Sequence, residues 1–137
     1  MTFVAIALVS HRGCYVVGQR GPDGPLAGFA EFPGGKCLPG EPPEACVVRE
    51  CLEETGLAVH VVRLRQQIEY TYPYDTVRLH FFDCELRPAS DPDRLLADFS
   101  WVPGERLREF KFPEPNHELV AELSAAAERR NARDSAC

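Results

Sequence analysis

The chain lacks a positive surplus, a long apolar run and any paired-cysteine motif, and each absence removes a class of function. Fifteen Lys and Arg face 21 Asp and Glu among 137 residues, a net charge of −6. Duplex and single-strand binders neutralise phosphates with a basic patch, so this balance argues against a nucleic-acid partner. No apolar stretch approaches the ~20 residues of a membrane helix, which argues against a membrane partner. The N-terminal MTFVAIALVSHRG has no basic leader and no cleavage signature, so residues 2–9 read as a buried strand and the expected compartment is the cytoplasm. Cys14, Cys37, Cys46, Cys51, Cys84 and Cys137 form no C-x-x-C pair and no Cys/His cluster with zinc spacing; they read as reduced, mostly buried small hydrophobes. His11, His60, His80 and His117 are too dispersed to be a ligand set. No repeat or linker divides the chain. One domain over residues 1–130 is expected, with residues 131–137 a frayed tail.

What is present is a globular balance, 45% hydrophobic and 26% charged, arranged as alternating β and α patterns. Residues 2–9 and 14–20 suggest two strands around His11-Arg12-Gly13, and residues 21–28 a Gly/Pro loop. Residues 28–32 form a short extended segment, and Gly34-Gly35 allow a tight backbone path into a loop ending at Gly40. Pro42-Pro43 suit a first helical turn, and the helix should run to Thr55 with Gly56 as its stop. Ala45, Val48 and Leu52 are its expected apolar stripe. Residues 57–72 and 77–86 read as strands around a Pro73-Tyr74-Asp75 turn, residues 88–98 as a polar connection and residues 100–103 as a short strand. A final amphipathic helix is expected over residues 116–130. The fold class is α/β, a mixed sheet with helices on both sides.

The chemistry concentrates in residues 35–57, GKCLPGEPPEACVVRECLEETGL. On a helix Glu50, Glu53 and Glu54 lie at i, i+3 and i+4, placing three carboxylates on one face within a turn. Like charges so close repel unless a cation sits among them. A hard divalent metal with oxygen ligands, such as Mg²⁺, answers that need. A solvated acidic face accounts for the charges but not for the glycines before and after the helix or for Arg49.

This pattern resembles the Nudix box of the Nudix hydrolases, G-x5-E-x7-R-E-U-x-E-E-x-G-U with U aliphatic. Every fixed residue is present, and Cys51 stands at the first aliphatic position. The resemblance implies an α/β/α sandwich and a Mg²⁺-dependent hydrolase, with Mn²⁺ able to substitute. It implies that Glu50, Glu53 and Glu54 are catalytic metal ligands and that a carbonyl of Gly34 or Gly35 adds another. It makes Glu50 the expected general base through a metal-bound water. Arg49 and Glu41 form the supporting shell, Arg49 fixing carboxylate rotamers through its guanidinium fork. A further acidic ligand is sought among Asp91, Asp93 and Asp98.

Outside the box, Gln19-Arg20, the run from Glu31 to Lys36, and Phe112-Pro113-Glu114-Pro115-Asn116 resemble the MutT-like subgroup. That likeness implies hydrolysis of a nucleoside triphosphate to monophosphate and pyrophosphate, with 8-oxo-dGTP a candidate substrate. Arg20 would approach phosphate or sugar; Phe32 and Asn116 would surround the base. Each also has a local reading: Asn116 as a helix N-cap, Phe32 as core and Arg20 as a solvated strand end. CTP or modified-dCTP hydrolysis, and a non-catalytic nucleotide sensor, are the alternatives. The sequence leaves base preference, metal count and oligomeric state open.

Overall fold

The computed structural model describes residues 1–135 apart from Pro25 and Ala97. Those two, from the Gly/Pro loop and the 88–98 connection, lie outside the described residues, as do Ala136 and Cys137 of the expected tail. Strand β1 (Thr2–His11) is the axis of a seven-stranded mixed sheet. Along one edge it pairs in parallel with β6 (Thr76–Leu86), from Thr2↔Val77 to Val9↔Cys84. On its other edge it pairs antiparallel with β4 (Gly34–Lys36) through Val4, Ala5 and Ile6, and with β2 (Cys14–Gln19) through Ser10 and His11. Strand β5 (Val59–Thr71) pairs antiparallel with β6, while β3 (Ala30–Glu31) and β7 (Phe99–Pro103) both pair with β2.

Helices cover both faces, because the central strands are apolar on both sides. Leu8, Leu79 and Phe81 meet Leu119, Val120 and Leu123 of helix α2 (His117–Ser135) in one core. Ala5, Ala7, Val9, Phe82 and Cys84 meet Cys46, Val47 and Cys51 of helix α1 (Pro43–Thr55) in the other. The expected α/β/α sandwich is therefore the fold. Short 3-10 turns at Gly104–Glu109 and Glu114–Asn116, not foreseen from sequence, lead into α2.

Three local expectations need correction. Gly34 and Gly35 belong to strand β4, not to a loop. A Cβ on Gly34 would lie 2.3 Å from the Ala5 carbonyl oxygen, so glycine here permits a close backbone approach and not a turn. In α1 the buried residues are Cys46, Val47, Cys51 and Thr55, whereas Leu52 is 50% exposed and Ala45 is exposed as well. At about 100° per residue, Glu50 and Glu54 fall between Cys46 and Cys51, so the acidic and buried sides interleave. Helix α2 runs past Arg130 to Ser135, where composition suggested fraying. The two expected stops are sound: Gly56 caps α1 in the left-handed conformation, φ 80°, and donates to the Leu52 carbonyl at 3.0 Å, and Tyr72 and Asp75 close the β5–β6 hairpin.

Candidate active site

Helix α1 is laid against β4, and the two elements divide the box carboxylates between them. Arg49 is the hub on the solvent side. Its Nε and Nη2 donate to the two oxygens of Glu41 at 2.8 and 2.9 Å. Its Nη1 donates to Glu50 Oε1 at 2.9 Å and Glu53 Oε2 at 3.2 Å. Glu41 also accepts the Leu38 N–H at 3.0 Å. The Arg49 hydrogen bonds, followed by that amide, hold the Glu41 carboxyl down to about 2.

Glu54 reaches toward the sheet and accepts the Gly34 N–H at 2.7 Å. Burial pushes its carboxyl up to about 7; the Gly34 amide pulls it back, Glu31 and Glu50 raise it further, and Arg20 opposes them. Glu50 lies between these two arrangements. A Cβ on Gly35 would stand 2.5 Å from Glu50 Oε2, so the missing side chain of Gly35 is the space this carboxylate occupies. One Glu50 oxygen is anchored by Arg49, and the other faces that space.

Beyond Glu54 opens a cleft of about 570 Å³ lined by Arg20, Glu31, Gly34, Glu54 and Asp98, among others. Arg20 Nε lies 3.3 Å from Glu31 Oε2. Of the three acidic candidates in the 88–98 connection, Asp98 reaches this cleft. Asp91 instead accepts the Asp93 N–H at 2.9 Å in a local turn. Glu31 was not singled out from sequence; its position two residues before the Pro33-Gly34-Gly35 run was the available signal. Among the described residues, no three His, Cys, Asp or Glu side chains converge into a ready metal cage. Arg49 holds Glu53 and one oxygen of Glu50, while Gly34 holds Glu54, so the trio is spread along the helix edge. The Gly35 carbonyl accepts a weak bond from the Cys46 thiol at 3.7 Å.

The base-side residues are placed differently from one another. Phe32 is 5% exposed and stacks on Phe112 with ring centroids 4.8 Å apart, so it is a core residue with one face covered. Asn116 closes the 3-10 turn before α2 and is 8% exposed. Its side chain makes no hydrogen bond among the described residues, so the N-cap bond is not formed.

The donor set suits a divalent cation: its charged ligand groups are all carboxylates, and Glu54, raised chiefly by burial and further by Glu31 and Glu50, would be favoured as an anion by a cation beside it. Glu50, Glu53 and Glu54 would hold the ion from α1, at the edge of the cleft.

An α/β/α sandwich with a glycine-backed carboxylate helix defines the class of protein. A sequence model of the NUDIX domain matches residues 4–122. An 8-oxo-dGTP diphosphatase of Escherichia coli is 29% identical over 121 residues, which cover 88% of this chain and 94% of that protein. A protein of the same description from Buchnera aphidicola is 35% identical over 96 residues, covering 68% of this chain and 75% of its own. Among solved structures, a NUDIX hydrolase from Nitrosomonas europaea superposes with a TM-score of 0.73 at 23% identity, over 91% of this chain and 88% of the other. The chain belongs to the Nudix family and is a Nudix hydrolase, a class of enzyme that generally uses divalent metals. Its relatives act on nucleotides, and no helix among the described residues is long and apolar enough to cross a membrane.

Proposed function

We propose that the chain hydrolyses a nucleoside triphosphate to the monophosphate and pyrophosphate with Mg²⁺, and that 8-oxo-dGTP is among its substrates. The observation that carries this reading is the junction of α1 and β4: Glu50 against Gly35 and Glu54 on the Gly34 amide, at the edge of a cleft containing Arg20. The metal, when bound, neutralises phosphate oxygens and makes its bound water more acidic. Glu50 takes the proton of the attacking water: one of its oxygens is fixed by Arg49 and the other is left to accept. Glu53 and Glu54 complete the ligand set, Glu41 and Arg49 fix its rotamers, and Arg20 faces the phosphates. Asn116 supplies an unpartnered amide for a base edge, able to donate and accept together.

The test is a panel of natural and oxidised nucleoside triphosphates, CTP and modified dCTP included, scored by pyrophosphate release with Mg²⁺ or Mn²⁺. Preference for 8-oxo-dGTP is the expected result. Preference for CTP or modified dCTP would reassign the base, and release of phosphate without pyrophosphate would overturn the reaction. Glu53→Gln and Glu50→Gln should lose nearly all turnover with the fold intact by circular dichroism; wild-type kcat in both would end the metal-box reading.

A further inference from the structure

A second cleft lies apart from the one that holds the box carboxylates. It measures about 600 Å³ and lies at the far end of β1, where the turn into β2 meets the end of β6 and helix α2. That volume is within the range of small-molecule sites. Three guanidinium groups line it, those of Arg12, Arg87 and Arg130, and none has a carboxylate within ion-pair distance among the described residues. The one acid in the lining, Glu85, lies 3.8 Å from His60 Nε2. On a chain of net charge −6, a cleft with three unpaired arginines is a local reversal of sign.

Two further observations point to a ligand. Tyr15 also lines the cleft: its ring is in the core, and its hydroxyl makes no hydrogen bond among the described residues. No buried side-chain oxygen among the described residues lacks a partner, so this hydroxyl opens into the cleft, where a ligand can reach it. Arg12, meanwhile, sits at φ 50° and Gly13 at φ 79°, both in the left-handed region. A two-residue hairpin of this geometry favours Asn-Gly, and arginine is there against its local preference. Strain of this kind, held at the mouth of a cleft, is more often found at binding positions than at neutral ones.

We propose that this cleft is a second binding site, specific for a phosphorylated small molecule of up to nucleotide size. Arg12, Arg87 and Arg130 hold the phosphate oxygens, and the Tyr15 hydroxyl donates to one of them. Phosphate is favoured over a single carboxylate because three guanidinium groups outnumber the one acid in the lining, Glu85. The site is independent of the carboxylate cleft and does not rest on the reaction proposed for it.

The test is isothermal calorimetry on the full chain in EDTA, with inorganic pyrophosphate, GMP and guanosine as probes. One-to-one binding is expected for at least one phosphorylated probe and none for guanosine. Pyrophosphate binding as tight as GMP assigns the site to free phosphate groups, and tighter GMP binding assigns it to nucleotides. Arg12→Gln, Arg87→Gln and Arg130→Gln should each weaken Kd by about tenfold, the loss of a charge-assisted hydrogen bond. Tyr15→Phe keeps the buried ring and should also weaken binding, while Glu50→Gln should leave Kd unchanged. Absence of binding by both phosphorylated probes, or undiminished binding in the triple arginine variant, overturns the proposal.

Discussion

Replacing Gly35 with alanine separates the two jobs a glycine can do at this site. The residue is not in the left-handed region, so alanine is allowed by its backbone. The added Cβ would stand 2.5 Å from Glu50 Oε2 and 2.6 Å from its Cδ, whereas ordinary contact begins at 3.4 Å. Relief therefore requires Glu50 to retreat by about 0.9 Å, the difference between 3.4 and 2.5 Å. The carboxylate ends a flexible side chain, so the fold should lose less than about 1 kcal/mol, or roughly 4 °C in Tm for a domain of this size. Catalysis is less forgiving, since a misplacement of about 1 Å can lower rates by about 10²-fold. Gly34→Ala is the opposite case. Its Cβ would meet the Ala5 carbonyl oxygen at 2.3 Å and Ile6 Cα at 2.9 Å, both backbone atoms, so the β1–β4 pairing must give way. Steady-state pyrophosphate release and thermal melts on both variants make the comparison. Gly35→Ala should lose about 10²-fold in kcat with Tm lowered by less than about 4 °C; Gly34→Ala should melt lower by clearly more than that. A Gly35→Ala enzyme with wild-type kcat would refute the view that this glycine exists to seat Glu50.

Glu54→Gln should change how the metal-free protein responds to pH. The Glu54 carboxyl is raised to about 7, so the folded state keeps a proton that the unfolded chain releases; stability is greatest below about 4.5 and falls as pH rises through about 7. Glutamine retains the bond from the Gly34 amide and removes that slope, so melts in EDTA should show the variant gaining on wild type between pH 5 and pH 8. Parallel pH curves for the two proteins would sink this assignment. Saturating Mg²⁺ or Mn²⁺ should stabilise wild type by about 2–3 kcal/mol at a hundredfold excess over Kd, and an unmoved midpoint would mean a merely solvated acidic face. Asn116→Ala should compress the differences in kcat/KM among 8-oxo-dGTP, dGTP, dCTP and CTP, because a lost amide contact costs about 1–3 kcal/mol of discrimination. An unchanged ranking with a lower Tm would instead make Asn116 structural.

The parts of this molecule that were legible in sequence are those set by near neighbours. Pro42-Pro43 and Gly56 bracket α1 through local backbone preference, and the Tyr72–Asp75 turn follows from its proline. The ion pair of Arg49 with Glu53 follows from i,i+4 helical spacing, whereas its bond to the adjacent Glu50 does not. Other features depend on partners far away in the chain. Gly34 and Gly35 read as a turn because their actual partner, β1, lies about thirty residues earlier. The stripe of α1 was misread because leucine outweighs cysteine in any apolar pattern, yet the small thiols of Cys46 and Cys51 are what the sheet accepts. Asp98 could be told from Asp91 and Asp93 only by the path of the chain back to β7. That Phe32 stacks on Phe112 in the core is a tertiary fact.

The parallel pairing of β1 with β6 has a consequence for how the enzyme comes into being. Thr2 is matched to Val77, so β1 finds this partner only when synthesis has advanced 75 residues further. At about 5–20 residues per second, that wait is about 4–15 s of synthesis. During it β1 can pair only with β2 and β4, leaving its long apolar edge open, a state in which unpaired strands invite aggregation. The box helix is already synthesised by then, yet the strand that positions Gly34 and Gly35 against it is not yet braced. Nascent chains arrested before Thr76 should therefore carry every box residue without hydrolytic activity, and competence should appear only once β6 has emerged.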